Sequence, residues 1–508
     1  MSDKKEMSKK PQTEKLNYKR TFLIGLGFMG CMLLWSVYNS YVPVILRGKF
    51  TMMFNEGGLG AFLDSHKALS WITVPLLVNI VMTIDNIFGV IFQPYFGKKS
   101  DTTSSKFGKR MPYIMIGLPI CAFFFCFIPV AAATKAVGLS ILLMMSVIIC
   151  FNFTMSVWRS PVVSLMPDFT PSHLQSDANA VINIMGGVGQ IFGFVIGMVV
   201  SAIAGALGFS AMAQSLTAKT DEATGRIVDE LGNITDAYPN YTPIFVVAAI
   251  ISVLCLVALV AFYKKNSKYD LSANVKVENN GEKQKKIKIK DLPISKEEKK
   301  SLIIMLAALF LICNATEAII PNFTNFAQKT LQVEPIYSTL MMAVFAVSLA
   351  VFGIPAGTLG RKFGRKKTII GGLIGIIVMF AIYLSVSQLS SNETLVWVIL
   401  WIALVVGGAC VGCVNINTLP LVLAIGGREF VGTFTGYYYT ATFSAAVTGP
   451  ILCGLVIGLF NEDYNFMFLF CAIMFLLGLL VITQVKHGEV SKDEDTSWID
   501  EAVEKADD

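Results

Sequence analysis

The sequence predicts an all-α integral membrane protein with twelve transmembrane helices arranged in two six-helix bundles. Of the 508 residues, 54% are hydrophobic and only 15% are charged, and the mean hydropathy is +0.63. A soluble protein would contain about 25% charged residues. The apolar residues form twelve runs, and one short basic motif occurs in corresponding places of the two halves, as in a duplicated membrane protein.

The apolar runs are each about 20 residues or longer, which is enough to cross roughly 30 Å of hydrocarbon. They are continuously apolar rather than alternating, so they predict helices and not barrel strands. The first 20 residues are polar and lysine-rich, and no cleavable signal peptide is expected. The predicted spans are 20–46, 72–97, 112–133, 136–158, 178–207, 241–263, 301–325, 336–359, 367–388, 394–420, 430–459 and 464–486.

The distribution of cations predicts the topology. Most of the 41 Lys and Arg residues fall on the side that holds both termini, so the positive-inside rule predicts cytoplasmic termini in a cell membrane. The net charge of +6 then reflects topology, and no nucleic-acid partner is expected. The cations on the opposite side are Arg47, Lys49, Lys67, Lys135, Lys219, Arg226 and Lys329.

Composition divides the chain into five parts. A cytoplasmic tail (1–20) precedes the first bundle (21–263), and a lysine-rich linker (264–300) with a surface helix near 294–300 leads to the second bundle (301–486) and an acidic tail (487–508). The ten cysteines fall in or beside apolar spans and indicate packing. No metal site or cofactor is expected, and the protein is expected to be a monomer in the lipid bilayer.

Two carboxylates lie far from either end of a predicted span. Asp85 is in span 2 and Glu317 is in span 7, one in each bundle. A charge in mid-membrane costs at least about 2.5–3.5 kcal/mol, so such groups usually face a cavity and have a function. Either acid could carry a proton or ligate Na⁺, and the sequence does not separate these alternatives.

Amides and aromatic side chains recur within the same spans. They suit a neutral polyhydroxylated solute, because amides hydrogen-bond hydroxyl groups and aromatic faces stack on sugars. Hydrogen bonding between helices uses the same residues and stays an equal alternative. An organic anion would require an inward cation, and the sequence predicts none in mid-span. The candidate substrate residues are Trp35, Tyr38, Asn39, Asn152, Asn183, Gln190, Asn314, Asn415 and Tyr438.

The repeated basic motif is a hairpin between spans 2 and 3 and again between spans 8 and 9. Each copy predicts glycine turns beside a cluster of cations, and the first copy has four extra residues after Asp101. The lengthened form resembles the glycoside–pentoside–hexuronide cation symporters and the sucrose-transporter-like branch of the major facilitator superfamily. Further stretches that resemble these families are 38–43, 85–86, 93–97, 159–161, 166–168, 177–179, 183–187, 314–317 and 432–438.

The resemblance implies a major facilitator fold and symport of a sugar or glycoside with a cation, H⁺ in the first place, by alternating access. It also implies that Asp101 latches the bundles against the start of span 11, near Arg159, when the cytoplasmic side is closed. Span 1 lacks the carboxylate of some relatives, and Arg361 replaces the acid of the second hairpin. The implied gate residues are Gly97, Asp101, Gly108, Arg110, Arg159, Asp168, Gly357, Arg361, Gly364 and Arg365.

Two other functions stay open. An exporter of amphipathic compounds or a lipid carrier would need a more apolar cavity that opens toward the bilayer. A membrane sensor without transport activity would be favoured by a large soluble domain, and the sequence predicts none. An enzyme is not expected, because no nucleophile–base pair, metal-ligand cluster or phosphate-binding loop is apparent.

Overall fold

A computed structural model describes residues 16–55, 58–66, 69, 71–103, 105–170, 175–219, 221, 226–228, 233–235, 239–267, 270, 289, 292, 294–390, 392–426 and 431–488. Residues 1–15 of the predicted tail, most of the predicted linker, and 489–508 lie outside this part. The described chain forms sixteen helices: α1 (Tyr18–Asn55), α2 (Leu59–Ser65), α3 (Val74–Met82), α4 (Ile84–Asp101), α5 (Met111–Ala132), α6 (Val137–Val163), α7 (Leu165–Phe169), α8 (Gln175–Ala206), α9 (Ser210–Thr217), α10 (Thr242–Asn266), α11 (Lys296–Thr330), α12 (Pro335–Phe363), α13 (Arg365–Leu389), α14 (Glu393–Gly426), α15 (Val431–Leu459) and α16 (Asn465–Thr483).

Twelve stretches of these helices are long and apolar enough to cross a membrane, which confirms the predicted multi-pass protein. Span 1 is α1, span 2 combines α3 and α4, span 3 is α5, span 4 combines α6 and α7, span 5 is α8, and span 6 is α10. Helices α11 to α16 are spans 7 to 12. Because the number of spans is even, residues 16 and 488 lie on one side, here named the terminal side.

Several helices extend beyond their predicted ends, among them α1 and α11. Span 1 was expected to end at residue 46, but α1 continues to Asn55, so Arg47 and Lys49 are buried helix residues rather than loop residues. The surface helix expected near 294–300 is the first part of α11. A capping box between Ser295 and Glu298 starts that helix.

Each bundle has its own apolar core. The buried residues of spans 1 to 6 form one cluster, and those of spans 7 to 12 form another. Three of the described apolar residues cross over: Phe194 and Val195 of span 5 pack with the second core, and Ile336 of span 8 packs into the first. Two cores joined by few shared side chains allow each bundle to move as a unit.

The bundles contact each other on the side opposite to the terminal side. There α3 packs against α15 so closely that a Cβ atom at Gly454 would overlap Asn79 and the carbonyl oxygen of Pro75. Helices α8 and α12 meet at the same level, where Gly197 faces Tyr41 and Ile336. On the terminal side, a cavity separates α4 from α15.

Within the first bundle, a glycine stripe holds α8 against α1. A Cβ atom at Gly189 would overlap the carbonyl oxygen of Met29, and one at Gly193 would meet that of Leu33. This agrees with the packing role that small residues have between membrane helices.

Replacing Gly189 with alanine is expected to destabilise the protein by about 1–3 kcal/mol, because the added methyl group forces α8 away from α1. Gly187 on the same helix has open space around its Cβ position, so Gly187→Ala is the matched control and is expected to be neutral. Thermal unfolding of the two purified variants measures the difference. Equal unfolding temperatures would contradict the packing role.

Candidate functional site

A cavity of about 960 Å³ lies between the two bundles on the terminal side. Span 2 provides one wall, span 11 provides the facing wall, and span 4 contributes Arg159, Ser160 and Val163. A cavity of this volume is within the range that holds a small organic molecule.

The wall from span 2 is apolar. Ile87, Val90 and Ile91 are 42%, 45% and 58% exposed, and they line the cavity together with Pro94. Phe443 of span 11, 39% exposed, lies on the other side. Exposed apolar surface is favourably covered by an apolar ligand, by about 25 cal/mol for each Å² removed from water.

The wall from span 11 carries a polar stripe. Thr440, Ser444 and Thr448 recur every four residues and therefore share one helix face. Thr440 and Ser444 each donate to the carbonyl oxygen four residues earlier in the helix, at 2.7 Å. The Thr448 hydroxyl lies within donating distance of two acceptors, the Ser444 carbonyl oxygen at 3.0 Å and the Asn314 side-chain oxygen at 2.9 Å. Their oxygen lone pairs can therefore accept hydrogen bonds from a ligand.

Arg159 is the charged side chain among the described residues that line this cavity. Its guanidinium carbon lies 4.9 Å from the centroid of the Trp35 ring, a cation–π contact. The prediction that mid-span cations are absent is wrong. Span 4 was expected to end at residue 158, but it continues to Phe169, which places Arg159 about 15 Å from the end of the span.

One of the two candidate coupling acids, Asp85, lies within electrostatic range of this arginine. Asp85 is 6% exposed and follows an interruption of span 2 at Thr83, whose hydroxyl donates to the carbonyl oxygen of Ile80 at 2.8 Å. Asp85 lies within electrostatic range of both Glu317 and Arg159. Asp85 thus has an electrostatic interaction with a carboxylate of the other bundle and with a guanidinium of its own bundle.

The predicted amides and aromatic residues are not among the described residues that line this cavity. Asn152 donates to the hydroxyl of buried Tyr38 at 3.3 Å, and Asn314 donates to the carbonyl oxygen of Phe310 and accepts from Thr448. Trp35 reaches the cavity through Arg159. The remaining candidates are Asn39, which is half-buried, Tyr438, which lies 3.5 Å from the Thr418 hydroxyl, and the exposed Asn183, Gln190 and Asn415.

The first basic hairpin is held together by Arg110. Its guanidinium pairs with Asp101 at 2.5 Å and with Asp168 at 2.9 Å, and it donates to the hydroxyl of Ser100 at 2.6 Å. All of these residues belong to the first bundle. Asp101 was expected to lie against the start of span 11, and residues 427–430, which precede α15, are outside the described part.

The glycine turns of the two hairpins lie at Gly108 and Gly364, whose φ angles of 78° and 101° favour glycine. Gly97 and Gly357, which were expected to belong to the gate, lie inside helices α4 and α12. Gly97 allows Ser160 to approach α4. In the second hairpin Arg365 is buried and donates to the carbonyl oxygen of Pro420 at 3.3 Å, while Arg361 is exposed.

The closed contact on the opposite side was not predicted. Asn79 of span 2 and Asn322 of span 7 are fully buried, and their amides exchange two hydrogen bonds of 2.9 Å. Beside this pair, Arg47 donates to the Gln328 oxygen at 2.7 Å. Asn325 donates to the carbonyl oxygen of Pro43 at 3.3 Å. All three contacts join the first bundle to the second.

One sequence signal could have indicated this contact. Asn79 is the amide within an otherwise apolar stretch of span 2, Val74–Met82. A buried amide in a membrane helix needs a partner, and another amide can satisfy both its donor and its acceptor.

Comparisons with known proteins address the fold. Residues 305–500 match the family model of the Major Facilitator Superfamily. No curated protein matches the sequence.

Three solved structures share the architecture. A bacterial homologue of the iron transporter ferroportin, in the inward-facing state, has a TM-score of 0.61 and 12% identity over 93% of this chain and 99% of its own. A bacterial homologue of the human lysosomal transporter Spinster has a TM-score of 0.59 and 10% identity, over 93% of this chain and 97% of its own. The nucleoside transporter NupG has a TM-score of 0.58 and 13% identity, over 91% of this chain and 99% of its own. At these identities the likeness concerns the fold, and the protein therefore has the major facilitator fold, with its second half matching the model of that superfamily.

Proposed function

We propose that this protein is a secondary transporter that moves a small organic solute across a membrane by alternating access. The observation that carries the proposal is the arrangement of the two bundles. They are separated by a cavity on the terminal side and joined by buried cross-bundle hydrogen bonds on the other side. Rocking one bundle against the other would expose the same cavity to the opposite side.

The coupling ion would bind at Asp85 and Glu317. Two carboxylates within electrostatic range of each other repel unless a proton or a metal cation neutralises them. A bound cation would therefore alter the balance of charge between the bundles. We propose H⁺ as the coupling ion, with Na⁺ as the alternative, and we take the terminal side to be cytoplasmic in the cell membrane of a monomeric protein.

A sugar or glycoside is the first candidate substrate. The hydroxyl stripe Thr440, Ser444 and Thr448, with Gln93 on the facing wall, supports a solute that carries hydroxyl groups. The second candidate is an amphipathic compound, exported or carried through the lipid phase. The apolar wall formed by Ile87, Val90 and Ile91 supports this second candidate.

Uptake into proteoliposomes tests the function. Purified protein is expected to accumulate at least one labelled solute from a panel of sugars, glycosides and amphipathic compounds when a proton or sodium gradient is imposed. Vesicles without protein and vesicles without a gradient are the controls. If no solute of the panel is accumulated under either gradient, the proposal of a coupled transporter is wrong.

A further inference from the structure

We propose that the transported solute carries an anionic group that binds to Arg159, beside an apolar body that lies against span 2. This inference rests on the proposed transport function and specifies the substrate class as an amphipathic organic anion. The inference rests on Arg159, which lines the cavity and whose guanidinium N–H groups can still bind a ligand there.

The guanidinium of Arg159 is held by one face only. It stacks on the Trp35 ring at 4.9 Å, and within the described part of the chain its N–H groups make no hydrogen bond or ion pair. A guanidinium presents a planar edge of N–H donors that fits a carboxylate, sulfate or phosphate with two parallel hydrogen bonds. The stacking on Trp35 fixes the plane of the group, so this edge is oriented before a ligand arrives.

The rest of the cavity fits the remainder of such a molecule. Ile87, Val90 and Ile91 present exposed apolar surface next to Arg159, and Phe443 faces them. A ligand that covers this surface gains free energy from its apolar body as well as from its charge. A small, fully hydrated inorganic anion would gain free energy only from its charge.

The surroundings of Arg159 connect anion binding to the coupling ion. Asp85 on α4 lies within electrostatic range of Arg159 and of Glu317 on α11, and Tyr38 and Cys31 on α1 are the further titratable groups near them. An anion bound to Arg159 is repelled by Asp85 as long as Asp85 is charged, and the charge of Asp85 depends in turn on Glu317. A proton or Na⁺ on these acids removes the repulsion, so anion and cation each strengthen the binding of the other.

A matched pair of fluorescent probes tests the anion site without transport. 8-Anilinonaphthalene-1-sulfonate carries a sulfonate, and N-phenyl-1-naphthylamine has the same rings without it. Their affinities are measured by fluorescence with the full-length protein in lipid nanodiscs, after subtraction of empty nanodiscs. Arg159→Gln is expected to weaken sulfonate binding about 10- to 100-fold, as for the loss of a charge-assisted pair, while the neutral probe changes less than about twofold.

Control variants separate anion recognition from other effects. Arg159→Lys keeps the charge and is expected to give an intermediate loss, and Lys362→Gln removes an exposed cation outside the cavity and is expected to have no effect. Ser444→Trp places a bulky indole ring inside the cavity and is expected to abolish binding of both probes. Retained binding of the neutral probe by Arg159→Gln shows that this variant is folded.

The coupling is tested with the same probes. Sulfonate affinity is expected to rise when the pH is lowered or Na⁺ replaces choline, and this dependence is expected to vanish in the double variant Asp85→Asn with Glu317→Gln. The proposal is overturned if Arg159→Gln leaves sulfonate affinity unchanged, if it weakens both probes equally, or if sulfonate binding survives Ser444→Trp. Loss of all solute uptake with normal sulfonate binding would instead overturn the transport function alone.

Discussion

Accumulation of solute in proteoliposomes is expected to fall to the level of protein-free vesicles when Asp85 is replaced by asparagine or Glu317 by glutamine. A tenfold concentration ratio requires about 1.4 kcal/mol, which only a coupled ion gradient can supply. An amide has nearly the shape of the acid but cannot bind and release the cation. Exchange of labelled for unlabelled solute needs no gradient and is expected to continue in both variants.

The matched control for these variants is Glu393→Gln, which removes an exposed carboxylate at the start of α14. It is expected to accumulate solute as the unaltered protein does. Undiminished accumulation in both Asp85→Asn and Glu317→Gln would exclude these acids as the coupling site. Loss of both accumulation and exchange would show that the acids serve the structure or solute binding instead.

Replacing Asn322 with leucine is expected to open the side opposite to the terminal side. The substitution leaves the Asn79 amide buried without the partner that now accepts and donates at 2.9 Å. An unsatisfied buried polar group costs about 1–3 kcal/mol. The ratio of open to closed molecules on that side is therefore expected to rise about 5- to 150-fold.

Hydrogen–deuterium exchange of the purified protein measures this shift. Peptides that cover Val74–Met82 are expected to exchange faster in Asn322→Leu, and those of the terminal-side hairpins are expected to exchange more slowly. The double variant Asn79→Leu with Asn322→Leu replaces both amides by apolar groups and is expected to restore slow exchange. Faster exchange throughout the first bundle would indicate general unfolding and contradict a role in the conformational equilibrium.

Hydropathy was sufficient to predict the number of spans and the two-bundle fold, because a membrane helix satisfies its backbone hydrogen bonds internally and must be apolar over its whole length. It was insufficient for the ends of the helices. Arg47 and Arg159 were expected near water because cations usually mark the end of a span. Both lie in longer helices, where Gln328 and Trp35 from other helices provide their contacts.

The residues that line the cavity could not be predicted for a related reason. A polar side chain in a span can face a cavity or another helix, and its spacing is the same in both cases. Asn152 and Asn314 use their amides within the bundles, whereas Thr440 and Ser444, which are less polar, face the cavity. The pairing of Asn79 with Asn322 depends on how two halves separated by 243 residues meet.

The chemistry of the closed contact determines how ionic strength acts on the protein. On the opposite side, the bundles are joined by neutral amides and by an arginine bound to a neutral amide, all buried, so dissolved salt has little effect on them. On the terminal side, Arg110 binds carboxylates, and the side chain of Asp101 is 47% exposed. Salt screens this pair. A change in electrolyte concentration would thus affect the Arg110 pair on the terminal side and leave the buried contacts that join the bundles on the opposite side unchanged.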